Sequence, residues 1–490
     1  MAAEGNEATE TGERPASPRA AGVVLGVLTL VALVLRATQL DESLFGDELF
    51  TYDLVHGHGL LGVIRDVRTG VEDNPPLFYV LAWLSSHIGD PTVWIRLPSV
   101  ILGTATVPLT YLLGRMTVGR APALFAATVV AISPFTVFYG IEARGYALLG
   151  FLSVLTTVLL LRARSRGGGW WWALAGAWAA MLYTHYTGAF VLAAQLVWVL
   201  WRSRAALQPF ALSAGAAVLL YAPWLPTEFG KSARIFTVLG PLHAGQVWRN
   251  ATGVFPGHPL MSLGRIPGGP LAGVALAAAA AALAWGAGRL ALRRVPLSDG
   301  LALLILLAAV APLGVLGYSW LEHNIFLARN MMASLAAILL LLGWAIASLP
   351  RVAGLAAGAA TLAAVLVGSV LMLQPSYQRA PYRAAAGWVG DRYRPGDSVL
   401  DYSFRPLSDP LARTVSIYLP GTAFFEATID EAGAWRRAAR GGRVFIVLPQ
   451  AGPFQGLPPS IGPAGLHLRR QAGRIFPGLT SIGAAEYGSG

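Results

Sequence analysis

DNPPLFYVLAWLSSHIGD, residues 73–90, decides the topology of this chain. Its apolar run, about 14 residues from Pro75, falls short of the roughly 20 needed to cross a bilayer and has the length of an interfacial or re-entrant helix. Counted as a crossing, it would move every later loop to the other side of a membrane. That a membrane is involved follows from composition: 55% of the 490 residues are hydrophobic and 12% charged, where soluble proteins carry nearer ~25% charged. Mean hydropathy is +0.56.

Outward from that stretch, apolar segments with the length or composition of spans lie near 20–37, 97–114, 121–138, 146–161, 170–186, 187–201, 208–225, 270–288, 301–320, 331–349 and 352–373. Arginines cluster in alternate short connections: Arg115 and Arg120; Arg162, Arg164 and Arg166; Arg202 and Arg204; Arg289, Arg293 and Arg294. Positive charge marks the cytoplasmic side, so these connections are expected inside and the intervening ones outside. The outer set holds the unusual polar motifs: DESLFGDELFTYDL (41–54), FYGIEARGY (138–146), LYTHYTG (182–188), the 226–269 loop and WLEHNIFLARN (320–330). With 73–90 lying along the outer surface, the reading is a polytopic α-helical membrane protein of about 11 spans, with 13 the alternative count.

Residues 1–19 are polar and patternless and read as a disordered cytoplasmic tail. The run after them has no small-residue cleavage site and is expected to be the first span, not a removed leader. Spans and loops together fill 20–373, with 38–95 as a first external loop carrying interfacial helices. From 374 to 490 the composition becomes that of a small soluble α/β domain. PYRAAAGWVGDRYRPGDSVLDYS (381–403) reads as helix, Pro-Gly turn and strand, and GGRVFIVLPQ (441–450) as an apolar strand. An odd number of crossings puts this domain outside the plasma membrane, opposite a cytoplasmic N-terminus.

There is no cysteine, which excludes disulfides, thiolate metal sites and thiol nucleophiles. The net charge of +11 is nearly all arginine, with Lys231 the single lysine. Because the arginines punctuate apolar spans, they serve topology and anionic lipid rather than nucleic acid.

Asp47 and Glu48 form an acid pair just past the first span. From their positions alone they are either solvated loop acids or functional ones. The order of the outer motifs distinguishes these readings: GDE (46–48), NPPLFY (74–79), RLPSVILG with LTYLLGR (96–115), SPFTVFYGIEARGY (133–146), THY (184–186), YAPWLP (221–226) and LARNMM (327–332). This series resembles the GT-C superfamily of integral-membrane glycosyltransferases. More narrowly it resembles family 39, the protein O-mannosyltransferases and lipid A aminoarabinose transferases. The resemblance implies a GT-C transmembrane domain that takes a sugar from a polyprenyl-phosphate carrier and delivers it to a hydroxyl of a protein, lipid or glycan on the outer face.

Such chemistry needs a base for the acceptor hydroxyl, since an unassisted alcohol is a poor nucleophile. The resemblance assigns this role to Asp47, whose proton affinity a membrane edge would raise. Glu48 is expected to orient it, and Glu142 to act as a second acid. Asp47 and Glu142 are also the candidate ligands for a divalent cation, Mg or Mn, although no cofactor is certain. A leaving phosphate gains charge that guanidinium groups stabilise through paired hydrogen bonds. Arg96, Arg144 and Arg329 are the candidates, with snorkelling anchors as the competing reading. Tyr52, Tyr79 and Tyr146 could line the sugar or prenyl path. Asn74, where relatives more often carry His or a cationic residue, His185 and His323 complete the expected substrate-binding set. The competing class is a transporter or flippase of a lipid-linked component. That class would spread polar residues through the spans, whereas here they gather at one face.

Overall fold

The computed structural model describes residues 18–70, 72–230, 240–257, 269–402, 414–419, 424–426, 431–450, 456–463 and 466–488. All of the expected tail except Pro18 and Arg19 lies outside these residues.

The chain opens with α1 (Pro18–Ala37), followed by the short helices α2 (Asp47–Val55), α3 (Leu60–Arg68), α4 (Leu77–Ser86) and α5 (Pro91–Trp94). The bundle continues with α6 (Leu97–Thr117), α7 (Arg120–Ile132), α8 (Pro134–Ile141), α9 (Tyr146–Arg166), α10 (Trp170–Leu182), α11 (Gly188–Arg202), α12 (Leu207–Tyr221) and α13 (Leu225–Gly230). After α14 (Ala244–Thr252) come four long helices, α15 (Gly269–Ala291), α16 (Asp299–Leu321), α17 (Met332–Ala347) and α18 (Arg351–Met372). Eight helices among the described residues are long and apolar enough to cross a membrane, nine if the bent pair α7–α8 is one span. The remaining expected spans are α10 and α11, 13 and 15 residues long, below the usual crossing length. The chain is a multi-pass membrane protein.

No helix within 73–90 has the length of a crossing. The segment's apolar core is α4, ten residues long, and both of its flanks return to one place. Before it, Glu72 bonds Arg144 at 2.6 Å; after it, Arg96 bonds Glu48 at 2.7 Å; and Glu48 accepts the N–H of Ala143 at 2.9 Å. The arginine-rich connections bond among themselves elsewhere, with Arg164 and Arg202 both on Asp299 at 2.9 and 3.1 Å.

The expected span 121–138 is broken. Pro134 has no N–H to continue the helical ladder and pushes Ser133 to an extended ψ of 132°, so α7 and α8 meet at 54°. The carbonyls freed at the break are met by Arg36, fully buried in α1, which donates to Ala131 (3.3 Å), Val130 (3.4 Å) and Thr136 (3.2 Å). A Cβ on Gly140 would lie 2.5 Å from the Arg36 Nε, so α8 can pass this guanidinium only with glycine there.

The helix, turn and strand read near 381–402 are α19 (Tyr382–Gly390) and β1 (Ser398–Asp401). With β2 (Phe424–Glu426), α20 (Glu431–Ala439), β3 (Val444–Pro449), β4 (Ser460–Ile461), β5 (Leu468–Phe476) and β6 (Ile482–Gly488) they form an α/β domain. Its sheet has the order β2-β1-β3-β6-β5-β4, parallel across β2, β1 and β3 and antiparallel beyond. One face buries Ala385, Ala386 and Val389 of α19 against Val399, Phe445 and Val447.

Candidate functional site

The site is built on α2 and on the turn between α8 and α9. Gly46, at φ 56°, swings the chain into α2 so that Asp47 and Glu48 begin the helix, where its N-terminal dipole favours acids. Adjacent residues of a helix diverge, and these two have different fates. Glu48 turns inward and is fully buried. Asp47 stays 30% exposed and meets Arg329, also 30% exposed, at 2.8 Å.

Glu48 and Arg96 form a buried two-bond fork, Nε to Oε1 at 2.8 Å and Nη2 to Oε2 at 2.7 Å. The remaining Arg96 donors go to the carbonyls of Leu40, Glu42 and Ser43. All five guanidinium N–H groups are therefore satisfied within the protein, and none is left for a phosphate. Burial alone would raise the Glu48 carboxyl; Arg96, Arg379 and the Ala143 N–H outweigh it and hold it below the usual range. Arg96, expected from the sequence to grip a phosphate, has each of its donors on a protein acceptor here, with Glu48 as its carboxylate partner.

Arg144 has a similar fork with Glu72, at 2.6 and 2.8 Å, above the ring of Tyr79 at 5.7 Å. Its Nη1 reaches the Asp47 carbonyl at 3.4 Å, while its buried Nε has no partner. Asn74 donates to Glu72 at 3.3 Å and so supports this pair. Burial would raise Glu72, yet the Arg144 charge and the Asn74 and Asp73 N–H bonds hold it low. Glu72 was not among the residues singled out from the sequence. An acid two positions before Asn74, on the approach to an apolar helix, was the available signal.

Glu142 follows α8, buried, with its Oε2 unpartnered. Burial, reinforced by Asp47 and opposed by Arg329, pushes its carboxyl up to about 7. Arg329 stacks over Tyr146 at 5.5 Å, and Tyr146 meets Tyr139 at 5.6 Å and His185 at 5.9 Å. Burial, together with Arg144 and Arg329, pushes His185 down to about 3, so its imidazole is neutral and its Nδ1 faces Thr187 Oγ1 at 2.9 Å.

The fold thus gathers Asp47, Glu142, Arg329, Tyr146 and His185, supported from beneath by Glu48, Arg96, Arg144 and Asn74. Tyr52 instead stacks on His56 along α2, at 4.8 Å. His323 is half-buried ahead of Arg329, in a segment that Asn324 ties to Gly240 and Gln246 at 3.0 and 2.9 Å. As a cation site the cluster is poor. Among the described residues no three His, Asp or Glu side chains converge, and Arg329 already supplies the counter-charge to Asp47.

Residues 73–226 match the family model described as dolichyl-phosphate-mannose-protein mannosyltransferase. Among solved structures the chain is similar to ArnT from Cupriavidus metallidurans bound to undecaprenyl phosphate, at 12% identity over 94% of this chain and 97% of that one, with a TM-score of 0.53. It is also similar to the oligosaccharyltransferase AglB from Archaeoglobus fulgidus in complex with an inhibitory peptide and a dolichol-phosphate, at 11% identity over 88% and 69%, with a TM-score of 0.51. No curated protein matches in sequence. The fold is that of the GT-C membrane glycosyltransferases, as the ordered motifs implied.

Proposed function

We propose that this chain, built on the GT-C fold, transfers a sugar from a polyprenyl-phosphate carrier to an acceptor hydroxyl at the outer face of the plasma membrane. The observation that carries the reading is the Asp47–Arg329 pair: a base and a cation in contact at 2.8 Å, both partly open to solvent, where Arg96 and Arg144 are tied into buried forks. Asp47 takes the proton of the acceptor hydroxyl as its oxygen bonds to the anomeric carbon. The bond from that carbon to the carrier phosphate breaks, and the phosphate leaves as a monoester with one more negative charge, stabilised by Arg329. Glu142, with its carboxyl raised to about 7, carries a proton in about half of the molecules at neutral pH, and in that form spares the site a second negative charge beside the departing phosphate. His185 and Tyr146 supply neutral polar and aromatic contact to the sugar. No step is routed through a metal, because the donor set offers only two carboxylates already countered by an arginine.

The test is release of undecaprenyl phosphate and transfer of label by the purified protein in liposomes, given radiolabelled undecaprenyl-phosphate hexoses and pentoses in separate assays. Label transfer with Asp47-dependent release supports the reading. Movement of intact lipid-linked sugar between leaflets, with no release, would instead make the protein a flippase.

A further inference from the structure

Four consecutive residues, 42–45, one glycine ahead of Asp47, are each held by the α/β domain. The Glu42 carboxylate accepts from the Arg379 Nη1 at 3.1 Å and from the Arg379 backbone N–H at 3.3 Å. The Ser43 hydroxyl accepts the Arg383 N–H at 2.8 Å. The Leu44 N–H donates to the Tyr418 hydroxyl at 2.8 Å. Phe45 packs against the domain core formed by α19 and the sheet. Only Gly46, in the left-handed region, separates this grip from Asp47.

The same domain residues reach further. Arg379, almost fully buried, donates to the Phe138 carbonyl of α8 at 3.0 Å, lies over the Phe138 ring at 4.1 Å and approaches Glu48 at 3.5 Å. Arg383 bonds Thr92 and stacks on Tyr418 at 4.9 Å. One side of the domain therefore touches the loop carrying Asp47, the helix leading to Glu142, and the helix start preceding Arg96. A segment pinned at every residue up to a single glycine has little freedom to shift the carboxylate that follows, and errors near 1 Å matter greatly for a reacting group.

We infer that the α/β domain is part of the catalytic scaffold, with Arg379 and Tyr418 as positioning residues that set Asp47 through residues 42–45. This rests on the reading of Asp47 as the base. Tyr418→Phe removes the acceptor for the buried Leu44 N–H while keeping the ring under Arg383; the N–H left unpaired is destabilising, so the fold should persist with a slightly lowered Tm. It should lower kcat ~10-fold or more, with a smaller change in the KM for donor. In an Asp47→Asn background the same substitution should have no further effect, because its influence passes through that carboxylate. A purely structural role would give multiplicative losses instead.

A second arm uses the cysteine-free chain. The pair Ser43→Cys and Arg383→Cys, at residues whose Oγ and backbone N lie 2.8 Å apart, should be joined in membranes by a short bifunctional thiol reagent, and the cross-linked protein should turn over undecaprenyl-phosphate sugar as fast as the untreated one. Failure to cross-link, or inactivity only when cross-linked, would overturn the inference, since the docked domain would then not be the working arrangement. Normal kcat in Tyr418→Phe beside an inert Asp47→Asn sinks the inference and leaves the base intact. Normal turnover by Asp47→Asn sinks the proposed function itself.

Discussion

The Glu48 carboxylate accepts the backbone N–H of Ala143 at 2.9 Å, joining the residue after Asp47 to the residue after Glu142. Thr51, one helical turn further along α2, donates to the Ala143 carbonyl at 2.8 Å. Both polar groups of one peptide residue are thus taken by one face of a short helix. The separation of the two candidate acids is set by this bracket, which Arg96 braces from behind.

If Asp47 is the general base, Asp47→Asn keeps size and hydrogen-bonding capacity but loses basicity. Turnover should fall by ~10²-fold or more while thermal stability changes little. Steady-state transfer of label, normalised to folded protein, measures this.

The arginines should respond differently to lysine. Arg329→Lys loses the planar fork that suits a phosphate and should cost ~2 kcal/mol or more in transition-state stabilisation. Arg96→Lys should instead lower stability by roughly 3 kcal/mol, as expected when a buried pair loses most of its bonds. Arg120→Lys, exposed at the start of α7, should be neutral in both. Thermal unfolding in detergent and kinetics on the same preparations separate the two effects.

Glu142 gives stability a pH dependence of defined sign. Its carboxyl is raised from an ordinary 4.5 to about 7, so between these values the native protein holds a proton that the unfolded chain releases. This contribution is complete below pH ~4.5 and lost as pH rises through 7, by an amount on the order of 3 kcal/mol. Glu142→Gln cannot ionise and should lack that slope. Unfolding temperatures at pH 5, 6, 7 and 8 for both proteins test this, and parallel curves would remove Glu142 as the source.

The proposed topology can be mapped with single cysteines. Ser165→Cys, exposed at the end of α9, should be shielded from a membrane-impermeant thiol reagent in intact cells, and Ser460→Cys, exposed on β4, should label. The opposite pattern would turn the molecule over.

Much of the architecture was legible from hydropathy alone, because an apolar helix about 20 residues long has few alternatives to a bilayer. That α4 is too short to be counted as a span followed from its length. The bend in 121–138 was signalled by Pro134, though its consequence was not: the freed carbonyls needed a donor, and Arg36, from another helix, supplies it. The motif order led to Asp47, Glu142 and Arg329. It could not rank the arginines, since Arg96, Arg144 and Arg329 look alike in a one-dimensional reading. Their roles depend on which carboxylate each meets, and Glu48, Glu72 and Asp47 are brought to them over long stretches of chain by helix packing. Adjacency in sequence was misleading for Asp47 and Glu48: neighbours on a helix point in different directions, one into the buried Arg96 fork and the other to the partly exposed Arg329. Composition determines that this chain lives in a membrane; only the tertiary structure decides which carboxylate each arginine meets, and whether the pair is buried, as Arg96–Glu48 is, or partly open to solvent, as Arg329–Asp47 is.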